Sequence, residues 1–207
     1  MKLIRQTLVI SCGLFIASQM SFAQSVNAYF GVGTAMDGSS GAQIDTFGTG
    51  NPFTTPKITG TFLDAGATVM FTKHVGAGAD INWRASQGSY TGLLYRPVFY
   101  NFDGVWTPVS TKRFEPEVHL GLGGMHLGYS FSQMNCNEII GCNTSSESVG
   151  DSNHFQVHGA LAARLYLTDH VFVRPAIDAH FVNNNFQFGS NWVPEYSVAL
   201  GYSFGRE

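Results

Sequence analysis

Apolar and polar residues alternate along most of this chain. Between residues 154 and 167, Phe155, Val157, Leu161, Ala163, Leu165 and Leu167 share one face, and His154, Gln156, His158, Arg164 and Tyr166 share the other. Successive side chains of a strand point to opposite sides, so a period of two reads as strand and a period near 3.6 as helix. The alternation recurs often enough to predict eight strands, over residues 26–36, 59–72, 74–86, 93–107, 114–132, 154–167, 171–182 and 194–204. Two features interrupt it. Pro97 has no N–H to give a ladder, which predicts a bulge or bend. In 114–132 the apolar phase moves from Val118, Leu120 and Leu122 to Met125, Leu127, Tyr129 and Phe131. A one-residue slip exchanges the two faces of a strand, so this predicts a bulge at Gly123-Gly124.

The connections alternate too. Those after the second, fourth and sixth strands are short (73–74, 108–113 and 168–170). Those after the first, third, fifth and seventh are mostly longer (37–58, 87–92, 133–153 and 183–193). All the long loops then lie at one end, as in outer-membrane barrels. The fold class this predicts is all-β: an eight-stranded antiparallel up-and-down transmembrane β-barrel, with both termini at the short-turn end.

Composition decides which face meets lipid. Charged residues make up 12% of the chain and aromatics 14%, with 24 glycines. Soluble domains carry about 25% charged residues. No apolar run after the first two dozen residues is long enough for a membrane helix. A closed barrel is the other way to cross a bilayer with every backbone group paired. A soluble barrel, such as a periplasmic binding protein, would face water with many lysines, and beyond residue 23 only Lys57, Lys73 and Lys112 occur. The polar stripe is instead rich in glycine and mixed in charge, which suits a narrow lumen whose ions must pair. Its expected members are Asp64, Asp80, Arg84, Glu115, Glu117, His119, His158, Arg164, Arg174, Asp178, His180 and Glu195. Tyr95, Phe99, Tyr100, Phe102, Trp106, Tyr129, Phe131, Trp192, Tyr196, Tyr202 and Phe204 fall near strand ends, where aromatic girdles sit at the membrane interface.

Residues 1–23 read as a secretory leader. Lys2 and Arg5 precede an apolar stretch, and Ser21-Phe22-Ala23 ends it, so cleavage is expected between Ala23 and Gln24. The remaining domain, 24–207, has 9 basic and 14 acidic residues, a net charge of −5. That gives no basic patch for nucleic acid. Cys136 and Cys142 are an even pair in an exported chain and are expected to form a disulfide tethering the third long loop.

Three segments resemble the small bacterial outer-membrane barrel family that includes OmpA-type barrels. They are Phe114-Glu115-Pro116-Glu117-Val118-His119-Leu120-Gly121-Leu122-Gly123-Gly124, then Leu165-Tyr166-Leu167-Thr168-Asp169-His170-Val171-Phe172-Val173-Arg174-Pro175, and the closing Tyr196-Ser197-Val198-Ala199-Leu200-Gly201-Tyr202-Ser203-Phe204. The resemblance implies the bacterial outer membrane as location, with membrane lipid and the barrel-insertion machinery as partners. That machinery usually reads a final aromatic residue; here Phe204 is followed by Gly205-Arg206-Glu207.

The chemistry of the chain is sparse. Some barrels of this kind are lipid-modifying enzymes with a His–Ser pair. The nearest match is His180, but the serine expected two residues on is Val182, so the nucleophile is missing. Glu115 and Glu117 share a face and are expected to pair with Arg164 or Arg174 rather than act in acid–base chemistry. His119, His126, His154 and His158 show no metal-ligand spacing. No enzyme activity, cofactor or metal is expected. The expected role is structural or surface-interactive, with an extracellular ligand held by the long loops. A small channel is the rival reading, although eight strands leave a lumen that side chains can fill.

Overall fold

The computed structural model describes residues 24–37, 41–45, 48–90, 93–137 and 141–205. The expected leader, residues 1–23, lies outside the described residues, and so does Ala23 of the expected cleavage site. Eight long strands carry the fold: β1 Ser25–Ala35, β2 Gly60–Met70, β3 Val75–Arg84, β4 Leu93–Trp106, β5 Phe114–Asn137, β6 Gly141–Tyr166, β7 Val171–Val182 and β8 Trp192–Phe204. Each pairs antiparallel with its sequence neighbour, and β1 pairs with β8 from Val26↔Phe204 to Ala35↔Glu195. The sheet is therefore a closed barrel with no free edge along its wall.

The wall has the sidedness the alternation predicts. Leu161, Leu165, Val198 and Leu200 are 40–63% exposed, while Arg164 is 2% and Glu195 0% exposed. In water so much outward apolar surface would be unfavourable by about 25 cal/mol per Å²; facing acyl chains it is not.

The short turns share one device. In Phe71-Thr72-Lys73-His74-Val75, the backbone N–H groups of Phe71 and Thr72 donate to Val75 O, and those of His74 and Val75 donate to Thr72 Oγ1. Leu167-Thr168-Asp169-His170-Val171 repeats this pattern bond for bond. In the third turn Phe114 N–H donates to Thr111 Oγ1 at 3.0 Å. A threonine hydroxyl stands in for the missing ladder partner in each case.

Three details differ from the sequence-based expectation. The segment 133–153 is not a loop: β5 and β6 continue through it as a paired hairpin, with Asn137 opposite Gly141 at the tip. The neighbouring strands stop earlier, β4 at Phe131 and β7 at Gln156. The hairpin thus stands roughly 20 Å beyond the wall, at about 3.3 Å per residue. Second, the register is unbroken at Gly123-Gly124; the irregularity lies between Tyr129 and Ser130, where the hairpin leaves the wall. Third, no bulge forms at Pro97, which stays in register with Leu127. On its other side β4 pairs with the short strand Gly88–Tyr90 up to Tyr95 and with β3 from Val98 onward. Arg96 and Pro97 fall in the gap, where no ladder partner is needed.

Candidate functional site

The lumen is packed with side chains from all eight strands and is divided along its axis. Nearest the short turns lies a lattice of ions. Glu117 Oε1 is 2.8 Å from Arg164 Nε and its Oε2 is 3.0 Å from Arg174 Nε. Glu115 takes Arg164 Nη2 at 3.3 Å and the Tyr166 hydroxyl at 3.2 Å. The Arg174 guanidinium lies 4.4 Å from the centre of the Tyr29 ring, a cation–π contact. Gly66 makes that possible, because a Cβ there would overlap Tyr29. These are charges removed from water, so each guanidinium needs its carboxylate.

The middle layer is a relay of imidazoles and carboxylates. Arg174 Nη2 donates to His119 Nε2 at 3.2 Å, which leaves the proton of a neutral His119 on Nδ1, 3.7 Å from Asp103 Oδ2. His158 bridges two acids, with Nδ1 2.9 Å from Asp103 Oδ1 and Nε2 3.2 Å from Asp178 Oδ1. Asp80 Oδ2 accepts from Asn101 Nδ2 at 2.8 Å, and Gln156 donates to Asn101 Oδ1. The Asn82 amide reaches Asp80 Oδ2 at 3.3 Å or Asp64 Oδ1 at 2.8 Å, depending on which way it is turned. Above them the His180 ring stacks between Phe99 (4.7 Å) and His158 (4.9 Å), with Nε2 3.5 Å from Glu195.

The third layer, under the long connections, is apolar. Phe62, Tyr95, Phe99, Met125, Leu127 and Val193 fill it, and Ile58 and Phe188 close it from the connections before β2 and after β7. Here lies the reason for the phase change in β5. The strand does not slip; Met125 and Leu127 point inward because the lumen itself turns from polar to apolar. Tyr95 and Phe99 likewise belong to this cap and not to an interfacial girdle, and Tyr129 packs against it. Tyr100, Phe102, Trp106, Phe131, Trp192, Tyr196, Tyr202 and Phe204 face outward.

Of the twelve residues expected in the lumen, eleven join the network or its margins. Arg84 stands apart at the wide end, donating to Lys57 O at 3.3 Å with its guanidinium 5.7 Å from the Tyr95 ring centre. The sequence expectation does not include Asp103, Asn101 or Tyr29, although the parity of Phe102, Gly104 and Trp106 places Asp103 inside. Cys136 is directly opposite Cys142 in the hairpin register, but their side chains lie outside the described residues. At the short-turn end a vestibule of about 530 Å³ opens below the lattice, lined by Lys73, Lys112, Glu115, Arg164 and Tyr166 among others.

A closed eight-stranded barrel with an apolar skin and an ion-paired interior is a transmembrane barrel of the bacterial outer-membrane type. Solved structures agree in fold. The outer-membrane protein OprG of Pseudomonas aeruginosa superposes with a TM-score of 0.56 at 14% identity, over 88% of this chain and 96% of that one. Ail, the attachment invasion locus protein of Yersinia pestis, in complex with the heparin analogue sucrose octasulfate, gives 0.53 at 10% identity, over 87% and 98%. No protein-family model and no curated protein matches the sequence.

Proposed function

We propose that this protein is a closed, non-enzymatic barrel of the outer membrane whose working surface is the external end, led by the β5–β6 hairpin. The observation that carries the reading is the apolar cap: Phe62, Phe99, Met125, Leu127 and Val193 are fully buried across the lumen. A layer packed with such side chains opposes the passage of water and ions. The absence of chemistry is supported by His180, which is wholly buried and stacked between rings, out of reach of a lipid substrate.

The external segments 36–59, 85–92, 132–153 and 183–191 carry Lys57 as their one basic residue, against Asp37, Asp45, Glu138, Glu147 and Asp151. A partner for this end is therefore neutral or basic, and the sulfated sugar analogue held by Ail is not carried over. Planar-bilayer recording tests the closed lumen: the reading expects a silent protein, and sustained large openings would replace it with the small-channel reading. Mass analysis of lipid A from expressing cells tests the absence of enzymatic activity, with an unchanged profile expected.

A further inference from the structure

We propose that Asp80, Asp103 and His158 form a divalent transition-metal site inside the barrel, of the class that takes Zn²⁺. Each offers one donor atom, and the three atoms lie within 4.8 Å of one another. The donors come from β3, β4 and β6, so no spacing along the chain announces them. They meet because Asp103 pairs with Gly121 and Gly121 pairs with His158 across the wall. Gly121 has no side chain to separate them, and a Cβ there would overlap the Asp103 carboxylate.

The outer partners are those of a metal site. Metal-bound histidine usually donates its other N–H to a carboxylate, which fixes the ring and its tautomer. Here His158 Nε2 is 3.2 Å from Asp178 Oδ1, leaving Nδ1 as the ligating atom. Asp80 is held by Asn101 at 2.8 Å. Asp103 has His119 behind it at 3.7 Å. Its Oδ2 is the oxygen on the His119 side, so Oδ1, 2.9 Å from His158 Nδ1, is the oxygen that faces the site. Carboxylate oxygens and an imidazole nitrogen are among the donors zinc accepts.

Charge points the same way. Asp64, Asp80, Asp103, Glu115, Glu117, Asp178 and Glu195 face two guanidiniums, Arg164 and Arg174, and three imidazoles. A dication at this point offsets the surplus of acid. Because the cap and the ion lattice close both ends, the metal enters as the barrel forms.

The test refolds the urea-denatured chain into detergent with equimolar Zn²⁺, then removes loose metal on a chelating resin. His126 and Asp151, an exposed pair 3.9 Å apart, are a rival surface site, so His126→Ala serves as control. The proposal expects about one zinc per folded chain in wild type and in His126→Ala. It expects at least a ten-fold loss in Asp103→Asn and in His158→Gln. Zinc that follows His126, or no retained zinc at all, overturns it. Should both site variants fail to fold, Co²⁺ refolded into the wild type reads the donors directly. A strong visible band of four-coordinate cobalt supports the site, and the weak band of the hydrated ion refutes it.

Discussion

Glu117 is where two guanidiniums converge, and it shows what one side chain does in a lumen. It neutralises Arg164 and Arg174 at 2.8 and 3.0 Å while 2% exposed. Glu117→Ala leaves both cations buried with weaker compensation. Breaking a buried pair in this way costs about 3–5 kcal/mol, and urea unfolding in phospholipid vesicles should show a loss of that size. On the opposite face, Leu161 is 63% exposed to the surroundings of the barrel. Leu161→Arg should cost about 2–4 kcal/mol if it lies near the bilayer midplane, whereas a soluble surface would accept it with little change. Residue by residue, parity alone placed nearly all of the lumen charges, because a strand has only two faces to choose from. What parity could not convey was contact. That Glu117 takes both arginines, that His158 bridges Asp103 to Asp178, or that Arg84 stays at the mouth depends on cross-strand register, which involves segments far apart in sequence.

At the level of elements, the strands were legible and their ends were not. The membrane wall needs only about 9–11 residues per strand, and the alternation is clearest there because one side meets lipid. Beyond the wall, residues 146–151 of β6 are exposed on both faces of the strand, so a sequence of Ser, Asn and Gly loses the period and reads as loop. The bulge was misplaced for a related reason: the apolar phase in β5 reported the chemistry of the lumen and not the course of the backbone. The short turns held a signal in plain view, the repeated Thr-x-His-Val of 72–75 and 168–171. Thr72→Ala and Thr168→Ala should each cost about 0.5–1.5 kcal/mol, the net worth of a hydrogen bond. The two effects should add, since the turns share no partners. In the hairpin, Cys136 and Cys142 are directly opposed. Opposed Cα atoms in an antiparallel pair are about 4.5–5.5 Å apart, within a disulfide's reach of about 4.4–6.8 Å. We expect both thiols to resist maleimide labelling on intact cells until a reductant is added.

The whole molecule is a wall with two different fillings. One half is filled by ion pairs, and the other is packed with apolar side chains beneath the long connections. The closed-scaffold reading rests on the second filling, so weakening it should open the protein. Phe62 and Phe188 are buried in the cap, Phe62 with its ring 6.0 Å from that of Phe99. Replacing both by serine should give brief current steps in a planar bilayer where the parent is silent, at an expected cost of several kcal/mol in stability, since each Phe truncation of this kind removes about 3–5 kcal/mol.

The seam between the first and last strands has a consequence for biogenesis. A hoop exists only when its ends are joined, and the residues that join it to β1, Glu195 to Phe204, are made after the seven strands before them. Every shorter nascent piece offers two raw borders to any passing strand, so the cell must escort the chain until synthesis and export are finished. By the same token, the choice of where the hoop begins is arbitrary: Gly205 lies against Gln24. A chain spliced there and cut instead at the 108–113 turn should assemble into the same ring.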